Sequence, residues 1–162
     1  MIKLILLFML LSLHQGAYAI DPKDMVRVSI LIEGVESIVG GMTTYCSEAS
    51  VSEDLRSRSK QQSQAWQTRN DKYISANNTY VKSIEGLVIF NKAREINKEE
   101  IARRAENFKA NFFHNYESEE AGCNNFLMNL SSKRFDFTRQ PVKKSLLLNE
   151  FVKEINDTFT GE

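Results

Sequence analysis

Residues 50–87, SVSEDLRSRSKQQSQAWQTRNDKYISANNTYVKSIEGL, decide the fold class. No proline interrupts them, and their one glycine is Gly86, close to the end. Trp66, Tyr73 and Tyr80 recur every seven residues, so the three rings fall on one face of a helix. Leu55, Ile84 and Leu87 extend that stripe, while Ser59 and Gln62 leave it thin between Leu55 and Trp66. Ser50-Val51-Ser52-Glu53 has the spacing of a capping box, in which Ser50 accepts a free N–H and Glu53 reaches back. The segment therefore reads as a long amphipathic helix that starts after Ser50 and breaks at Gly86, with Leu87 to Phe90 packing beyond.

The same reading spreads outward. Only Pro22 and Pro141 occur in the chain, so a long proline-free span lies between them. All-β domains need frequent turn residues, and this span lacks them. Upstream, Val26, Val28, Ile30 and Ile32 alternate like a strand. Val28, Leu31, Val35, Ile38, Met42 and Tyr45 follow helical spacing over a longer stretch, and length favours the helix. Gly34, Gly40 and Gly41 weaken it by up to ~1 kcal/mol each relative to Ala, which suggests a close neighbour. Downstream, Asn97 and Glu100 mark a third start, and Ile101, Ala105, Phe108, Phe112 and Tyr116 form its inner face. Gly122 reads as its stop. Phe126, Leu127 and Leu130 belong to a fourth helix, Phe135-Asp136-Phe137 to an extended connection, and Leu147, Phe151, Ile155 and Phe159 to a last helix.

The expected fold is all-α, an up-down bundle of four to five helices closed by one disulfide. The disulfide follows from the N-terminus. Lys3, the apolar run Leu4 to Leu13 and Ala17-Tyr18-Ala19 have the layout of a cleavable signal peptide. That divides the chain into a leader, 1–19, and a single helical domain, 20–162. Export to the periplasm or beyond makes the two cysteines, Cys46 and Cys123, a bonded pair. In an up-down bundle both fall at the same end.

Composition bounds the function. The chain holds 21 basic and 21 acidic residues, and Lys3 is the one charge in the leader, so residues 20–162 carry 20 against 21, a net of −1. Such balance argues against nucleic acid as a partner. After the leader no apolar run is long enough to span a membrane. His114 is the one histidine left after the leader and points away from its helix's apolar face, so general-base or metal chemistry lacks its parts. No cofactor or metal motif is present. Glu99-Glu100 and Glu119-Glu120 read as solvated surface. Asn77, Asn129 and Asn156 each open an Asn-x-Ser/Thr sequon, meaningful only in a glycosylating secretory route.

One constellation stands out. Trp66, Arg69, Asn70 and Tyr73 share a helical face, and two readings fit them: a half-buried aromatic seam, or a groove for a peptide, glycan or small ligand. Aromatics at helical spacing favour the seam. A cysteine closing the first helix, then Trp66-Gln67-Thr68-Arg69-Asn70, then Cys123-Asn124-Asn125-Phe126 resembles a diffuse group of small exported helical proteins of Gram-negative bacteria. The resemblance implies the periplasm and the disulfide, and brings no activity with it. The expected function is a non-enzymatic protein that binds another protein or an envelope component. The alternatives are a hydrolase assembled from carboxylates and hydroxyls, or a chaperone-like binder of exported chains.

Overall fold

The computed structural model describes residues 20–85 and 88–160, with the side chains of 88–94 left aside. Residues 1–19, expected to be a leader, and Gly86 and Leu87, expected to be the break and the start of the packing beyond it, lie outside the described residues. Among the described residues five α-helices follow in order: α1 Pro22–Glu48, α2 Glu53–Ile84, α3 Val88–His114, α4 Glu119–Ser131 and α5 Val142–Ile155. A 3-10 turn, Phe137–Arg139, lies between α4 and α5, and a π-helical turn, Asn156–Thr160, follows α5. The fold is all-α, and the described residues contain no strand.

Local chemistry starts each helix. The Asp21 carboxylate accepts the Lys23 N–H at 2.7 Å, and Pro22 occupies the first turn, where its missing N–H costs nothing. The alternating Val26–Ile32 stretch is thus helical, as its longer period requires. α2 is capped by Ser52, whose hydroxyl accepts the Leu55 N–H, and not by Ser50 as expected. The Ser50 N–H instead donates to Glu119 across the bundle at 3.1 Å, and Val51 is buried between them. Ser118 caps α4, with Glu119 and Glu120 in the first turn where the helix dipole favours anions.

Three expected boundaries move. α3 begins at Val88, well before Asn97. Gly122 stops nothing. It is buried inside α4, where an added Cβ would lie 2.4 Å from the Phe113 ring. α5 buries Leu148, Phe151 and Ile155, whereas Phe159 lies beyond it and is exposed. Phe159 falls in the π-helical turn past the end of α5.

Pairings give the directions. Ser59 of α2 donates to the Thr43 carbonyl of α1, and both Ser59 and Ser63 are buried where the aromatic stripe thins. The small side chains let α1 come close. α3 runs parallel to α1, with the Tyr45 and Phe113 rings 4.4 Å apart at one end and Arg27 opposite Asn97 towards the other. The fourth column of the bundle is broken. α4 lies along the first half of α2, through Arg58 to Asn124 and Arg69 to the Leu130 carbonyl. α5 continues along the second half, through Tyr73 to Asn149 and the edge-on rings of Tyr80 and Phe151. Cys46 and Cys123 are bonded and fully buried, with Cα atoms 5.6 Å apart. Closing this long a loop stabilises the fold by roughly 4–5 kcal/mol on chain entropy.

Candidate functional site

The Trp66 constellation sits where the fourth column breaks. α4 ends in a left-handed residue, Lys133 at φ 62°, and the chain turns through Phe135 and Asp136 into the 3-10 turn. Of the connection expected to be extended, Phe135-Asp136-Phe137, only Asp136 is; Phe135 lies in the turn, and Phe137, fully buried, opens the 3-10 turn. The face of α2 that meets this break presents Trp66, Arg69, Asn70 and Tyr73. The indole N–H of Trp66 donates to the Phe135 carbonyl at 3.2 Å. Arg69 grips both oxygens of Asp136, at 2.9 and 3.2 Å, and donates to the Leu130 carbonyl at 2.9 Å. Asn70 uses both ends of its amide. Its Nδ2 donates to the Trp66 carbonyl and to Asp136, and its Oδ1 accepts the Phe137 N–H at 2.9 Å.

Apart from the Asn70 bond to the Trp66 carbonyl within α2, each of these bonds satisfies a backbone or carboxylate group at the break. Trp66 is 2% exposed, Tyr73 1% and Asn70 0%, so their faces turn inward. Arg69 alone keeps part of its side chain in solvent. This is the geometry of a seam, not of an open groove. Its sequence signal was the spacing of Arg69 and Asn70 with Trp66. The partner, Asp136, carried no signal because it is far away in the chain.

Other expected groups scatter. His114 is exposed at the end of α3. Among the described residues no cluster of His, Cys, Asp or Glu is arranged to hold a metal ion. Asn77 is buried and its Oδ1 has no hydrogen-bond partner, Asn129 is half-buried against Asn125, and Asn156 is exposed. Glu119 is exposed, as expected, yet it also bridges two helices. It accepts the Tyr45 hydroxyl at 2.5 Å as well as the Ser50 N–H, and so ties α1 to α4 beside the disulfide. That hydrogen bond, then burial, then the charge of Glu119 push the Tyr45 phenol above its ordinary pKa.

The open feature lies elsewhere, between α1 and α3. The buried line of α1 is Met25, Val28, Ile32, Val39, Met42 and Cys46. The expected stripe through Leu31, Val35 and Ile38 is rotated from it by about 60° on a helical wheel. α1 therefore carries an apolar sector wider than the core needs, and Ile30, Leu31, Gly34, Val35 and Ile38 form its outer part. They face Ile101 and Ala105 of α3 across a cleft of about 480 Å³. Gly34 has nothing within 4 Å of where its Cβ would be, which leaves that wall recessed.

The polar lining is Arg27 on α1, and Asn97, Glu100 and Arg104 on α3. Glu100 bonds Arg104 at 2.6 Å and Arg103 at 2.7 Å, and these two guanidinium groups hold its carboxyl below the ordinary range. Arg27 pairs with Asp24 at 2.9 Å. Sequence reading missed this site, although the surplus of apolar residues on α1 was its visible sign. A second hollow, about 420 Å³ between α2 and α4, has Arg58 on its wall already bonded to Asp54 and Asn124. No protein-family model matches the chain, and no curated protein or solved structure does so either.

Proposed function

We propose that the chain is exported, loses residues 1–19, and acts in the periplasm or outside the cell as a non-enzymatic binding protein. Its partner, an envelope component or another protein, inserts an apolar group between α1 and α3. The observation that carries this reading is the cleft itself. Its α1 wall is apolar through Ile30, Leu31, Val35 and Ile38, its α3 wall sets Ile101 and Ala105 among Asn97, Glu100 and Arg104, and its volume of about 480 Å³ is within the ~300–1,000 Å³ range of small-ligand sites. The leader pattern and the buried disulfide support the compartment. No helix among the described residues is long and apolar enough to cross a membrane.

A neutral solvatochromic dye tests the reading. Its fluorescence should rise on titration into the protein, and Gly34→Leu, which fills the recessed wall, should abolish the rise without lowering Tm. An unchanged dye response in Gly34→Leu would remove the cleft from consideration. Intact mass of the exported product checks the compartment, with an N-terminus at Ile20 as the expected result.

A further inference from the structure

Resting on that reading of the cleft, we propose that its occupant is an uncharged amphiphile: an alkyl chain whose head both donates and accepts a hydrogen bond, as an alcohol or a primary amide does. Shape calls for the chain. The cleft lies between two parallel helices and follows α1 from Arg27 to Ile38, about 16 Å at the helical rise, so its long axis suits an extended chain. Charge calls for a neutral head. Three ionised side chains line the cleft, and each already has its counter-ion: Arg104 is bonded to Glu100, and Arg27 to Asp24. The surplus cation of the Glu100 cluster is Arg103, which is not on the wall. A charged head entering here would lose water and find no unmatched opposite charge in its place. Asn97 is the fourth polar lining residue, half-buried at the Arg27 end, and no described group takes up its side-chain amide. One such amide offers a single neutral head both a donor and an acceptor. The head therefore sits at Asn97, and the chain runs towards Val35, Ile38 and Ala105.

Displacement of the neutral dye by three probes of equal chain length tests this: octanol, octanoate and octylammonium, near neutral pH and at low ionic strength. Octanol should bind the unaltered protein roughly tenfold more tightly than either ion, since only the ions give up charge solvation. Asn97→Leu keeps the size and removes the hydrogen bond. It should weaken octanol roughly fivefold and leave in place the dye response, which reads the apolar walls. Glu100→Gln frees Arg104 on the wall and should tighten octanoate by up to about fivefold with octanol unchanged, the yield of one exposed ion pair. Neither altered side chain is buried, so both variants should keep Tm. Octanoate or octylammonium bound as tightly as octanol by the unaltered protein would overturn the neutral head and leave the apolar cleft standing. Octanol unaffected by Asn97→Leu would overturn the placement of the head, and octanoate unaffected by Glu100→Gln would overturn the charge argument. Bound dye that none of the three probes displaces would sink this inference alone. No dye response at all would sink the reading beneath it as well.

Discussion

The two long interfaces of α2 and α3 are built on opposite plans. Where α2 meets the break in the fourth column, the polar side chains are partnered: Trp66 with Phe135, Arg69 with Asp136 and Leu130, Asn70 with Phe137; further along α2, buried Asn77 keeps an unpartnered Oδ1. Where α3 meets α1, the rings of Tyr45 and Phe113 close one end, and a cleft opens between residues 27–38 and 97–105. A broken helix leaves backbone groups that must be satisfied, so it demands side chains with fixed hydrogen-bonding roles. Two unbroken helices satisfy their own backbones and make no such demand. Their contact can stay apolar and incomplete. The residues with the most distinctive chemistry therefore mend the fold, and the plainest ones line the opening.

Damage to the mended interface should have the largest effects. Trp66→Ala removes a fully packed indole and its hydrogen bond to the connection, and should cost roughly 3–5 kcal/mol. Urea unfolding would measure it, and a cost below about 1 kcal/mol would mean that the seam is not part of the core. Asp136→Ala leaves Arg69 and Asn70 facing a gap, and loss of one partner of a largely buried pair costs about 3–5 kcal/mol. Arg69 is partly solvated, so the low end of that range is expected. The dye response at the α1–α3 cleft should survive at temperatures where these variants remain folded. Its loss in step with the seam would show that the two interfaces are coupled.

How much of this contrast could be read from the chain depends on how far apart the partners are. The seven-residue spacing of Trp66, Tyr73 and Tyr80 made α2 and its buried face legible, because a helix's period is a local property. The disulfide was legible from the leader-like pattern of residues 3–19 and the even count. Ser50 was expected to cap α2, yet its amide is taken by Glu119, which is 69 residues away and invisible to a local pattern. Gly122 looked like a stop signal for the same reason, since the ring of Phe113 that requires it comes from the preceding helix. The cleft was half legible. The excess apolar residues of α1 could be counted, but which neighbour would leave some of them uncovered could not.

The glycines divide along the same line, and one chemical change tests both sides. At Gly122 a methyl group would meet the Phe113 ring at 2.4 and 2.6 Å, and a ring wedged between helices cannot withdraw as a flexible chain end can. Overpacking of this kind costs typically ~1–3 kcal/mol, so Gly122→Ala should lower stability despite Ala's better helix propensity. On α1, Gly34, Gly40 and Gly41 have nothing within 4 Å of an added Cβ, against the expectation that they admit a close neighbour. Their cost is then the ordinary one of a glycine in a helix interior. Gly40→Ala and Gly41→Ala should each raise stability by up to ~1 kcal/mol, the smallest effects expected here. Gly34→Ala should do the same while adding a methyl group to the wall of the cleft. If it stabilises the fold and weakens dye binding together, the recess at Gly34 is kept at the expense of helix stability, as a binding wall requires. If it stabilises and binding is untouched, the ligand lies deeper along Val35, Ile38 and Ala105, and a larger side chain at position 34 becomes the sharper probe.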